Sequence, residues 1–181
     1  MFESNAIAIM KKAGISFCDG LTGDELIAIH RIYGITFPAK VRQFMTNALP
    51  ISKGFYNWRD TNPSNVEHIK RSIETPVLEL LEEYQSIPWN PNWGTKPVDA
   101  ELPSFFREKL ASSAMLIPFY SHRYIPMIDV DDPPVLSITG SDIIVYAQTF
   151  SEYVSIEFGR KKFRPVSLQC IPNIPFWSDI L

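Results

Sequence analysis

Fifteen prolines spread through 181 residues set the strongest limit on how this chain can fold. Proline has no N–H and a fixed φ, so it suits helix starts, loops and strand edges and breaks helix interiors. The prolines therefore punctuate the chain, and several stand where a helix would begin. Ala6 to Ala13 reads as a short helix ahead of Gly14. Thr22-Gly-Asp-Glu25 fits a capping box, in which the Thr hydroxyl and the Glu carboxylate satisfy free backbone N–H groups reciprocally. Behind it Leu26, Ile29 and Tyr33 share a helical face, and Gly34 ends the helix. Pro38 opens a second helix, whose Val41, Phe44, Met45 and Ala48 follow the i, i+3, i+4, i+7 spacing.

Residues 51–60 read as strand and turn around Gly54-Phe-Tyr-Asn-Trp58. Asn62-Pro63-Ser64 opens a helix carrying Val66, Ile69 and Ile73, and Thr75-Pro76 is expected to restart the chain as a separate one. In that second helix Val77, Leu80, Leu81 and Tyr84 turn inward and Glu79, Glu82 and Glu83 outward. Residues 87–97, with Trp89 and Trp93, read as an ordered aromatic loop, and residues 103–112 as a helix presenting Phe105, Phe106 and Leu110. Past this point short β-forming segments follow one another: Met115–Tyr120, Tyr124–Ile128, Val135–Thr139 and Asp142–Ala147. Gly140-Ser141 predicts a tight hairpin between the last two. Thr149-Phe-Ser-Glu152 is a second capping box, leading a helix whose Phe150, Tyr153, Val154 and Phe158 share a face. Helices first, adjacent strands next and a closing helix predict an α+β fold, with helices packed on a twisted, mainly antiparallel sheet.

Composition bounds the function. Hydrophobic residues make up 45% of the chain and charged residues 20%, enough for one self-folding domain over residues 1–181. The net charge of -3 has the wrong sign for a protein that neutralises nucleic-acid phosphates. No apolar run approaches the roughly 20 residues of a membrane span. The first five residues lack the basic stretch of a secretion signal, so a cytoplasmic protein is expected. Cys18 and Cys170 read more plainly as two free thiols than as a disulfide.

The order of several motifs resembles the SUKH superfamily, which includes fungal cell-wall-synthesis regulators and many bacterial toxin-immunity proteins. They begin with Gly20-Leu-Thr-Gly-Asp-Glu-Leu26, then Tyr33-Gly-Ile-Thr-Phe-Pro38 and Phe44. Phe55-Tyr-Asn-Trp-Arg-Asp60 and Trp93-Gly-Thr-Lys-Pro97 follow, then the most specific run, Leu116 to Pro126 with its His122-Arg123-Tyr124. Pro134 to Ile138, Asp142 to Ala147 and Tyr153 to Phe158 complete the series. The resemblance covers residues 14–158, and 159–181 is expected to be a C-terminal extension packed on the domain. Pro133 stands where Asn is common in the pattern, and Ala147 where Gly is common after the Tyr. The resemblance implies an α+β fold without a cofactor. For the bacterial branch it also implies stoichiometric binding and neutralisation of a cognate toxin, the protein itself being a monomer or weak homodimer. A regulatory module binding an endogenous protein is the alternative, and an enzyme of unknown reaction the third.

Among candidate residues, His122 and Arg123 are the most catalytic-looking pair, yet neighbours on a strand point to opposite faces. A structural role is expected for them and for the other motif residues Trp58, Trp93, Tyr124, Pro126 and Asp142. His30, His68 and the cysteines lack metal-ligand spacing. A calcium loop starting at Asp129 would need Gly at its sixth position and Glu at its twelfth, where Pro134 and Gly140 stand. Two acidic surfaces are the best candidates for contact with a basic partner, such as a nuclease toxin: Glu79, Glu82 and Glu83, and Asp129, Asp131 and Asp132. The basic residues Arg160, Lys161, Lys162 and Arg164 form too small a cluster for a nucleic-acid site.

Overall fold

The computed structural model describes residues 2–181. Helix α1 (Phe2–Lys12) leads into the short strand β1 (Phe17–Asp19), helix α2 (Gly23–Tyr33) and helix α3 (Ala39–Asn47). Strand β2 (Ala48–Pro50) pairs antiparallel with β1. The long helix α4 (Pro63–Glu82) and helix α5 (Leu102–Ala111) precede strands β3 (Leu116–Tyr120), β4 (Arg123–Pro126), β5 (Val135–Thr139) and β6 (Asp142–Ala147). These four strands form an antiparallel meander in the order β3-β4-β5-β6, and helix α6 (Phe150–Glu157) follows. The fold is α+β, with helices packed on an antiparallel sheet.

Local chemistry explains most boundaries. Thr22 accepts from the Glu25 amide while Glu25 accepts from the Thr22 amide, and Gly34 closes α2 at φ 72°. Gly20 is required for another reason: a Cβ there would lie 1.9 Å from the Thr46 carbonyl oxygen, so only glycine lets these backbones meet. The β5–β6 hairpin turns through Gly140 at φ 58°, as its sequence predicts.

Several expectations are corrected. The first helix begins at Phe2 rather than Ala6. Residues 51–60 form no strand, only the isolated bridge between Phe55 and Tyr120. The second capping box is half formed: Thr149 caps the Glu152 amide, but the Glu152 carboxylate accepts from Gln148 instead. Thr75-Pro76 does not divide a helix in two, since α4 runs unbroken through Pro76. Pro76 is buried, and Val77 and Leu80 beyond it join one apolar cluster while Ile69 and Ile73 before it join another. Burial on both sides of the proline offsets the roughly 3 kcal/mol that an interior proline costs a helix.

The sheet is buried on both faces. Ile117, Phe119, Ile125, Val135 and Ala147 enter a first core with Phe44, Trp58, Phe150 and Tyr153. Leu116, Tyr124, Leu136, Ile138 and Val145 enter a second core with Leu80, Leu102, Phe106 and Trp177. Double burial explains why the strands read as near-continuous apolar runs rather than alternating ones. The second core is closed by the extension after residue 158, which has no helix longer than a three-residue turn yet buries Ile174, Phe176 and Trp177. Phe176 sits at φ 66°, a strained value for a bulky residue, and this sharp turn lets two adjacent aromatic rings both point into the core.

Candidate functional site

The C-terminal half of α4 carries the first acidic surface, and the fold divides its carboxylates into two groups. Glu79 and Glu83 stand one helical turn apart and reach the β5–β6 turn, where Gly140 donates to Glu79 at 2.9 Å and Ser141 to Glu83 at 2.8 Å. These hydrogen bonds from Ser141 hold the Glu83 carboxyl below its usual range. The two side chains thus clamp the hairpin to the helix. Glu74 and Glu82 are exposed and make no hydrogen bond or ion pair among the described residues.

A groove of about 300 Å³ runs between this helix and the turn joining α5 to β3. Its walls are almost wholly carbon, from Ile73, Val77 and Leu78 on one side to Met115, Leu116 and Trp177 on the other, with Glu74 at the rim. Leu78 is 51% exposed. The Trp177 indole N–H donates to the Ala114 carbonyl at 2.8 Å, which fixes the wall that the extension supplies. Sequence reasoning did not find this groove, because its two walls lie about 40 residues apart and its third contributor about 60 further on. The acidic run of α4 was the only signal.

The second acidic surface also divides. Asp132 accepts from both the amide and the hydroxyl of Ser151, in the first turn of α6. The Asp131 backbone carbonyl accepts from Lys40 in the first turn of α3. Residues 129–132 therefore strap two helix N-termini together, where negative groups are favoured. The side chains of Asp129 and Asp131 remain exposed. Among the described residues no three His, Cys, Asp or Glu side chains converge as a metal site would require.

His122 and Arg123 do not converge. His122 lies exposed in the β3–β4 turn, its imidazole held below its usual pKa by partial burial and then by the Arg123 charge. Arg123 opens β4 and binds Glu157 at 3.1 Å and the Ser137 hydroxyl at 2.7 Å, with its guanidinium 3.8 Å from the centre of the Tyr146 ring. It ties the sheet to α6. Tyr153 packs against Tyr146, and its hydroxyl is the one buried side-chain polar atom without a partner among the described residues.

The remaining motif residues are mostly interior. Trp58 is buried between Tyr33 and Phe37, and its neighbour Arg59 binds the Glu25 carboxylate and the Gly20 carbonyl. That pairing brings the Glu25 carboxyl down to about 2. Trp93 stacks on Phe176 and donates to Asp179 at 2.8 Å, so the aromatic loop grips the extension. Tyr124 and Pro126 are buried, and Asp142 is exposed at the start of β6. Cys18 and Cys170 are free thiols. Arg160 and Lys161 line an open basic cleft with Lys12, on the α1–α6 side of the molecule.

Comparison of the chain with family models, with curated proteins and with solved structures returns no match. No helix among the described residues is long and apolar enough to cross a membrane.

Proposed function

We propose that this protein is a non-catalytic binding module of the SUKH type, an immunity protein that neutralises a cognate toxin by stoichiometric binding. The observation that carries this reading is the open apolar groove on α4 beside Glu74 and Glu82, carboxylates without a partner among the described residues. A preformed apolar surface with a charged rim is what a protein interface needs, since little ordering remains to be done on binding. The order of motifs from Gly20 to Phe158 supports the family, and the acidic character of this side suits a toxin with a basic cleft, such as a nuclease. The test is co-expression with the toxin encoded beside the gene. Restored growth and a co-eluting complex are expected; continued killing with no complex would overturn the reading. A stable housekeeping partner in cells without any toxin gene would instead make it a regulatory module.

A further inference from the structure

We infer that the α4 groove seats one basic amphipathic segment of a partner protein, an apolar side chain entering beside Leu78 and Trp177 and cationic side chains meeting Glu74 and Glu82. This rests on the protein-binding reading above and names the site and the chemistry of its occupant.

Three observations lead to it. Leu78 is half exposed near the C-terminal end of a 20-residue helix, beside a carbon-lined recess of about 300 Å³ that can take an anchoring side chain. Glu74 and Glu82 stand one turn before and one turn after Leu78 on the same helical face, and the hairpin occupies only Glu79 and Glu83. Finally, residues 72–112, which join the groove's two walls, contain seven acidic residues and three basic ones, Lys96, Arg107 and Lys109, so this stretch is net acidic. Lys70 and Arg71 lie upstream on α4, and Arg71 is paired with Glu67. The acidic field is thus strongest toward the helix C-terminus, where the partner's cations would gather.

The same charges argue against a second copy as occupant. A two-fold contact through this groove would set Glu74 and Glu82 against their own images. A head-to-tail contact through the basic residues Arg160 to Arg164 of another copy would build a ring or an open chain rather than a dimer.

The experiment uses the whole protein and a fluorescein-labelled helical peptide of about 18 residues, with leucines on one face and lysines flanking them. A matched peptide with glutamates in place of the lysines is the control. Anisotropy is expected to saturate with the lysine peptide only. Binding should weaken at least about tenfold in Leu78→Lys and in the double variant Glu74→Lys/Glu82→Lys, and fall in about 0.5 M salt. Ile144→Lys, which removes an exposed apolar side chain from the β6 edge, should leave it unchanged. Circular dichroism checks that each variant is folded. Equal binding of the two peptides, or binding that survives both groove variants, overturns the inference. So does a self-associated state, seen by sedimentation, that Leu78→Lys dissolves. A toxin complex that survives Leu78→Lys overturns the groove and leaves the immunity reading standing. Groove-dependent peptide binding without any toxin complex does the reverse.

Discussion

Against the first face of the sheet, Phe44, Phe150 and Tyr153 arrive on helices and meet Phe119 edge to face. Against the second face, Phe176 and Trp177 arrive on an extension held by side-chain hydrogen bonds, Trp93 to Asp179 and Asn90 to the Asp179 carbonyl. The first cover is built mainly on helices, whereas the second joins helices α4 and α5 to an extension that has no helix longer than a three-residue turn. The charges differ too: Lys12 and the basic residues after α6 lie on the first side, and the glutamates of α4 on the second. A sheet buried on both faces needs an apolar cover on each, and here the second is only partly helical. This second side is the one that carries the groove, with α4 as one wall and Trp177 of the extension in the other.

Deleting residues 174–181 removes the non-helical part of the second cover. Loss of Ile174, Phe176 and Trp177 should remove about 5 kcal/mol or more, close to the whole stability of a domain. The expected result is loss of the near-ultraviolet circular dichroism signal and binding of a hydrophobic dye; a cooperative, native-like transition would show that α4 and α5 seal the face alone. Phe44→Ala should cost about 3–5 kcal/mol, read as a lower denaturant midpoint. Because its cover is built of helices, protection against hydrogen exchange should fall across α1, α3 and α6 together. Glu79→Ala should cost about 1–2 kcal/mol by leaving the buried Gly140 amide unpaired, with exchange accelerated at the β5–β6 turn rather than across the sheet.

Glu25→Gln tests the corresponding clamp on the first side, and about 1 kcal/mol is expected at neutral pH. The Glu25 carboxyl titrates at about 2 in the folded protein, against 4.5 ordinarily, because Arg59 binds it. A depressed folded value gives stability that is fully present above 4.5 and lost as pH falls toward about 2. The variant should therefore show a flatter acid limb in a plot of unfolding free energy against pH. Tyr153→Phe should have the smallest effect and the opposite sign, neutral or stabilising by up to about 1 kcal/mol, since it removes a buried hydroxyl without a partner. A clear loss of stability would mean that this hydroxyl is hydrogen-bonded in solution.

How much of this was legible in the sequence followed the range of the interactions. Thr22 with Glu25, Gly34 and Gly140-Ser141 act within a few residues, so their motifs predict the caps and the hairpin directly. Val135–Thr139 and Asp142–Ala147 were readable to the residue as strands. Pro76 misled because its local preference to break a helix is overridden by burial against two cores that sequence spacing does not reveal. The acidic surfaces were legible as charge but not as geometry. Nothing near Glu79 or Glu83 indicates that a hairpin about 60 residues later would use them. Asp132 reads as part of an acidic contact surface because its partner, Ser151, lies beyond two strands. Arg59 and Glu157 were missed for the same reason, each being paired with a residue 34 positions away.

The extension that seals the second core also has a consequence for synthesis. A ribosome delivers the chain from the N-terminus, so the first face can close once α6 has emerged, while the second waits for Trp177. At about 5–20 residues per second, the stretch from the end of α6 to Trp177 takes roughly 1–4 s. For that interval Leu136, Ile138 and Val145 lack the part of their cover that the extension supplies. A nascent chain stalled after α6 would present a sticky apolar sheet, and it is there that a chaperone would first take hold.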